Sequence, residues 1–183
     1  MDQQIINLYD EYTHKPLPRS EFLKKLAILV GGTAAAMAIL PMIELNYAHA
    51  ATVAVNYENL FTESVKYAGD NCEMQAYIAR PKANGKYPTV LIIHENRGLN
   101  AHIEDVARRA ATAGYLAIAP NALAALPSIP TNEDEIRAQF SKLDPKQTLN
   151  NFIKAFDYAA TRNDSNGKFG CVGFCWGGAM ANN

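Results

Sequence analysis

Close to the end of the chain stands the run Gly170-Cys171-Val172-Gly173-Phe174-Cys175-Trp176-Gly177-Gly178. The spacing Gly173-x-Cys175-x-Gly177 predicts a short strand, a sharp turn at Cys175 and the start of a helix, an arrangement that presents a nucleophile. A side chain on either flanking residue would block the close approach of strand and helix, so glycine is required there. The helix that follows turns free N–H groups and the positive end of its dipole toward the sulfur, which favours thiolate. Taken alone, the motif is also compatible with a buried cysteine followed by glycines that only permit packing. A second polar group follows the apolar run Pro88–His94: Glu95, Asn96, Arg97 and Gly98. In open α/β sheets the reactive crevice lies at the carboxyl ends of strands. Glu95 is therefore expected to face the same crevice as Cys175, where a carboxylate can hold or take the thiol proton. The alternative is a surface carboxylate paired with Arg97 or Arg108.

These residues need strand ends to hold them. Pro88–His94 reads as a strand buried on both faces of a parallel sheet. Ile103–Ala113 reads as an amphipathic helix closed by Gly114, and Tyr115–Ala119 as the next short buried strand. Asn121–Pro130, with Pro127 and Pro130, reads as a loop. Asn132–Lys142 reads as a helix whose first turn carries Glu133, Asp134 and Glu135. Pro145 opens a longer helix with Leu149, Phe152, Ile153 and Phe156 assigned to one face, and Phe169–Phe174 is the strand before Cys175. Ahead of them, Ser64–Tyr67 and Glu73–Ala79 form a hairpin around Ala68-Gly69-Asp70-Asn71. Strands alternating with helices predict an α/β fold, a mostly parallel sheet flanked by helices after an N-terminal hairpin. Residues 51–183 then form one domain.

Residues 1–50 read as an address. Met1 to Ser20 is polar and irregular, Arg19, Lys24 and Lys25 are basic, and Leu26–Ile43 is an uncharged run. Ala48-His49-Ala50 supplies a small-residue cleavage site, completing the layout of an export signal. The run Arg19-Ser20-Glu21-Phe22-Leu23-Lys24 resembles a twin-arginine signal, with Ser20 where the second arginine would stand. The expectation is a product handled by export machinery, cleaved before Ala51 and periplasmic. An uncleaved membrane anchor is the alternative, weakened by Gly31, Gly32, Thr33 and Pro41.

The formal net charge of −1 and the lack of a basic stripe argue against nucleic-acid binding. The three cysteines are Cys72, Cys171 and Cys175, an odd number that does not make a disulfide framework, and no histidine beside them makes a zinc site. Cys171 reads as a core residue and Cys72 as a structural residue at the hairpin edge. His94 precedes Glu95 on a strand end and so points the other way, as a structural hydrogen-bonder. His102 reads as a solvated residue at a helix start, and His14 and His49 belong to the leader.

Four segments together are similar to the dienelactone hydrolase (carboxymethylenebutenolidase) family, within the α/β-hydrolase superfamily. They are His94-Glu95-Asn96-Arg97-Gly98-Leu99-Asn100, Ile103-Glu104-Asp105-Val106-Ala107-Arg108-Arg109, Gly114-Tyr115-Leu116-Ala117-Ile118-Ala119-Pro120 and Gly173-Phe174-Cys175-Trp176-Gly177-Gly178. The resemblance covers roughly residues 60–183. It implies an α/β-hydrolase fold, no metal or other cofactor, and hydrolysis of a small-molecule lactone or related ester through an acyl-enzyme. On it, Cys175 matches the nucleophile and Glu95 the carboxylate that helps generate thiolate. The backbone N–H groups of Asn96 and Trp176 match the oxyanion hole, and the Trp176 donor also follows from general elbow geometry. Arginines that would bind a substrate carboxylate find no match, since Asn121-Ala122-Leu123-Ala124-Ala125-Leu126 stands where one is expected. Between Cys175 and Asn183 no Asp or His occurs that would complete a triad. The chain therefore reads as the N-terminal part of such a domain, the alternative being an inactive fragment or pseudoenzyme.

Overall fold

In a computed structural model of the chain, residues 2–14, 17–43, 52–129 and 133–183 are described, and they divide into two units, Met1–Ala50 and Ala51–Asn183. The second unit is built on a five-stranded sheet. Its strands are β1 (Leu60–Ala68), β2 (Glu73–Pro81), β3 (Tyr87–Ile93), β4 (Leu116–Asn121) and β5 (Ser165–Gly173), in the order β1-β2-β4-β3-β5. β3, β4 and β5 run parallel, and the β1–β2 hairpin joins them through an antiparallel β2–β4 pairing. The expected α/β fold is present: a mixed sheet flanked by helices, in which the parallel strands β3, β4 and β5 follow an N-terminal hairpin. Register pairing lengthens the first hairpin strand at both ends, to Leu60–Ala68, and the second at its end, to Pro81. It also starts β5 at Ser165, opposite Tyr87, instead of at Phe169. Asn71 takes the left-handed conformation that closes the hairpin turn, with φ of 57°.

Period-two alternation along the strands divides the core between two faces. Ile78, Leu91, Ile93, Leu116 and Ile118 pack with Phe152, Ala155 and Ala159, while Tyr77, Ala79, Ile92, Ala117 and Ala119 pack with Ile103, Val106 and Ala107. The two helices lie on opposite faces of the sheet. One, Ala101–Thr112, starts two residues earlier than its apolar periodicity predicts, because the Asn100 side chain caps it by accepting from the Ile103 N–H. The other, Pro145–Ala160, is capped by Asp144 and buries Thr148, Asn151, Phe152, Ala155 and Ala159. Ile153 was expected on that face and is exposed. The buried stripe runs through small and polar residues, among them Asn151, whose Oδ1 accepts from the Asp70 N–H of the hairpin turn at 2.6 Å. Residues 121–130 were expected as a loop, and they open on a short 3-10 helix, Ala122–Ala125, capped by the buried Asn121. A further helix spans Glu133–Phe140, and the last one spans Trp176–Ala181. The predicted helix start at Asn132 lies outside the described residues.

The first unit departs from the expected irregular leader. It contains helices Gln3–His14, Arg19–Val30 and Thr33–Ile43. Ile5, Leu8 and Tyr12 recur at helical spacing and are buried with Phe22, Leu26 and Leu40. The Tyr12 and Phe22 rings stack with centroids 4.3 Å apart. The uncharged run is not continuous, because Gly31 (φ 84°) and Gly32 break it between two helices. Among the described residues no helix is long and apolar enough to cross a membrane. Arg19–Val30 and Thr33–Leu40 meet the length and composition test only as a pair, bent by 108°. Ala48-His49-Ala50 and Ala51 lie outside the described residues.

One buried ion cluster holds the start of the second unit. Asp105 accepts from the Val53 N–H at 2.8 Å and pairs with Arg108 and Arg109, and the Arg108 Nε donates to the Val53 carbonyl at 2.8 Å. Arg108 also donates to the Tyr77 hydroxyl, at 3.2 Å. Removing one partner strands the other's charge in the interior. Asp105→Ala is expected to cost about 3–5 kcal/mol of unfolding free energy, against under about 1 kcal/mol for Arg109→Ala, whose guanidinium is exposed. Urea unfolding followed by fluorescence of Trp176, the chain's only tryptophan, measures both.

Candidate active site

The site is built where two neighbouring parallel strands end. Ile93 of β3 is paired with Gly173 of β5, and the Phe174 N–H donates to the Ile93 carbonyl at 3.1 Å. Glu95 and Cys175 each stand two residues beyond that pair. Adjacent strands lie about 4.8 Å apart, so the two residues emerge side by side at one end of the sheet.

Cys175 has φ of 51° and ψ of −113°. Among the described residues only it and Asn71 are non-glycine residues at positive φ. Such a conformation costs on the order of 1–3 kcal/mol and persists only where the surroundings impose it. Here the glycines impose it. A Cβ on Gly173 would overlap the Gly177 carbonyl group, and one on Gly177 would overlap the carbonyls of Ile93 and His94. The turn therefore lifts Cys175 out of the sheet, and its thiol-bearing residue is exposed. At the head of the helix the Gly177 N–H donates to the Phe174 carbonyl at 2.8 Å and the Gly178 N–H to the Cys175 carbonyl at 3.0 Å. Among the described residues no protein acceptor takes the Trp176 N–H.

Glu95 is half-buried. Among the described residues its carboxylate accepts no hydrogen bond and joins no ion pair. Arg108, one alternative partner, is committed to Asp105, Tyr77 and Val53. The Glu95 main-chain carbonyl is engaged by the His94 ring and by the Gly98 N–H at 3.3 Å. Gly98 itself sits at φ of 73° against Leu123, which closes the loop after β3 onto the segment after β4.

His94 is fully buried. Its Nε2 accepts from the Ala122 N–H at 3.0 Å, so the ring proton is on Nδ1, which donates to the Glu95 carbonyl. Its ring stacks on Trp176, with centroids 5.6 Å apart and planes at 18°, and meets Phe152 and Phe140 edge-on. The expectation of a structural hydrogen-bonder holds, and the polar partners it binds were not legible in the sequence. Strand alternation stops at Ile93, so the ring reaches the face shared with Phe152. Cys171 departs from expectation. Among the described residues it is exposed, as are Phe169 and Val172, on β5, which pairs with β3. Cys72 is half-buried in the hairpin turn, 3.5 Å from the Asn151 Oδ1. His102 lies in the first turn of its helix, with its ring edge-on to Phe174. Among the described residues no group of His, Cys, Asp and Glu is placed to hold a metal ion.

Burial lowers the His94 pKa from 6.5 to about 4, against the opposing hydrogen bond to the Glu95 carbonyl. Between those values the unfolded chain binds a proton at His94 and the folded chain does not. Stability is thus lost as pH falls from 6.5 toward 4, by on the order of 3 kcal/mol. Unfolding free energies of the wild type and His94→Gln, compared at pH 7 and pH 4, should show this loss in the wild type alone.

The family model described as "Dienelactone hydrolase family" matches residues 74–183. The chain is 41% identical over 113 residues to a protein of Escherichia coli (strain K12) named "Putative hydrolase fragment YghX", covering 60% of this chain and 97% of that one. It is 33% identical over 133 residues to a Methylorubrum extorquens protein named "Putative carboxymethylenebutenolidase", covering 70% of this chain and 46% of the relative. Among solved structures, one described as a "Putative Dienelactone Hydrolase" from Klebsiella pneumoniae matches with a TM-score of 0.57 and 31% identity, over 64% of this chain and 51% of that one. Apart from the Escherichia coli protein, the chain spans about half the length of these relatives.

Proposed function

The chain belongs to the dienelactone hydrolase family, and we propose that its second unit attacks the carbonyl of a small lactone or related ester with the Cys175 thiolate. The observation that carries this reading is Cys175 held at φ of 51° beside the end of the strand that leads to Glu95. Glu95 takes the thiol proton, the sulfur bonds to the carbonyl carbon, and the alkoxide leaves with the electrons of the broken C–O bond. The N–H groups of Trp176 and Asn96 receive the charge that develops on the carbonyl oxygen.

His94 does not serve as the base that activates water. Both ring nitrogens are engaged and the ring is buried. Acylation is the half-reaction that these residues support. A second reading, an acylated product that does not turn over, is favoured by the match to a relative named a hydrolase fragment over 97% of its length.

With p-nitrophenyl acetate, a burst of p-nitrophenolate and an acetyl group mapped to Cys175 are expected. Cys175→Ala should abolish both, and Cys171→Ala should leave both in place although Cys171 is also exposed. Glu95→Gln should slow the burst by at least about a hundredfold, the usual scale for a positioned base. Acetylation of Cys171 or Cys72 instead would reject the assignment. Sustained release after the burst would reject the second reading.

For residues 1–50 we propose an export leader, supported by Arg19, Lys24 and Lys25 ahead of the uncharged run and by Ala48-His49-Ala50. The expected product is periplasmic and begins at Ala51. N-terminal sequencing of fractionated cells tests this. A cytoplasmic product beginning at Met1 would reject it, and a full-length product in the membrane fraction would favour an anchor.

A further inference from the structure

We propose that His94 is a positioning residue for acyl transfer at Cys175, holding the Glu95–Asn96 peptide and the Trp176 residue so that their N–H groups meet the oxygen of the reacting carbonyl. The proposal rests on the reading of Cys175 given above and adds a role that the residue types do not announce.

The imidazole touches each of the segments that follow β3, β4 and β5. After β3, its Nδ1–H donates to the Glu95 carbonyl. After β4, its Nε2 accepts from the Ala122 N–H at 3.0 Å. After β5, its ring lies flat on the ring of Trp176. The first contact acts on the neighbouring donor through covalent geometry. The Glu95–Asn96 peptide is trans, as are all the described peptides, so its C=O and N–H point in opposite directions. Fixing the carbonyl toward His94 fixes the Asn96 N–H on the side away from it. The third contact sets the residue whose N–H heads the last helix. The second joins both to the segment after β4, through a backbone donor that would otherwise be buried without an acceptor.

A residue serving only to fill the core would not need this set of partners. An apolar side chain of similar size would pack against Phe152 and Phe140 without desolvating two ring nitrogens. The polar atoms of His94 are spent on main-chain groups of the site itself.

The test uses the full chain and compares two reactions of the same thiol. Acylation by p-nitrophenyl acetate passes through an oxyanion, whereas alkylation by iodoacetamide does not build charge on a carbonyl oxygen. His94→Gln keeps an acceptor for Ala122 and loses the donor at Nδ1. It should slow acylation of Cys175 by roughly ten- to a hundredfold, on the scale of a misplaced oxyanion donor, with alkylation unchanged. His94→Asn puts its amide nitrogen where Nδ1 stood, so its acylation should be faster than that of His94→Gln, though still below the wild type because the ring on Trp176 and the acceptor for Ala122 are lost. Trp176→Leu removes the stacked ring and keeps the backbone N–H. It should also slow acylation selectively, and it carries the test if His94→Gln does not fold. Equal slowing of both reactions, or unchanged acylation, overturns the proposal and leaves the Cys175 reading standing. An Asn variant as slow as the Gln variant also overturns it. A wild type that alkylates at Cys175 but is never acylated there overturns the Cys175 reading and this one with it.

Discussion

The site depends on how closely three backbones approach at the end of the sheet. β5, the helix that follows it and the end of β3 meet with no room for a single Cβ at Gly173 or Gly177. That contact forces the intervening Cys175 to positive φ and lifts it from the sheet, at a conformational cost of a few kcal/mol. It also brings the Ile93 and His94 carbonyls under the turn, so the position of Glu95 is coupled to that of Cys175 through the backbone. A larger residue at Gly177 would part the end of β3 from the helix, and one at Gly173 would part β5 from it, so either would disturb the turn that places Cys175 beside Glu95.

Buried polar groups then tie this junction to the rest of the unit. Asn121 at the end of β4 caps the short 3-10 helix and accepts from the Leu99 N–H at 3.5 Å, and His94 reaches the next residue, Ala122. On the other face of the sheet, Asp105 and Arg108 hold both main-chain polar groups of Val53. In each case a side chain that is costly to bury is satisfied by main-chain partners from distant parts of the chain. The crevice and the start of the unit are therefore fixed by directional bonds and not by apolar contact alone.

The first unit shows how a signal-like composition and a folded structure coexist. The same Leu26–Ile43 run that reads as an apolar core of a leader also supplies Leu26, Ala36 and Leu40 to a three-helix cluster. In Gln3–His14 the buried stripe is Ile5, Leu8 and Tyr12, with Tyr9 packed beside it, while Ile6 is exposed. A mean composition conceals so sparse a stripe, and it becomes visible only when Phe22 is stacked against it.

The sequence by itself determined the α/β class, the hairpin, the buried strand that leads to Glu95 and the turn at Cys175. Each of these is written in local chemistry: an apolar run of strand length, Asp-Asn turn residues, and glycines at fixed distances from a cysteine. The similarity of the His94 to Asn100 and Gly173 to Gly178 segments to one family was legible for the same reason. Tertiary structure alone decided that β4 lies between β2 and β3, that β5 pairs with β3, and that Cys171 is exposed on it among the described residues. It alone decided which face of Pro145–Ala160 is buried, since Asn151 is chosen over Ile153 by its bonds to the hairpin. And it alone assigned His94 its partners, because hydrogen bonds to main-chain groups leave no trace in the identity of the residues that supply them. Sequence spacing records what neighbours along the chain require of each other, whereas pairing order, burial and the direction of a buried polar bond depend on residues tens of positions away.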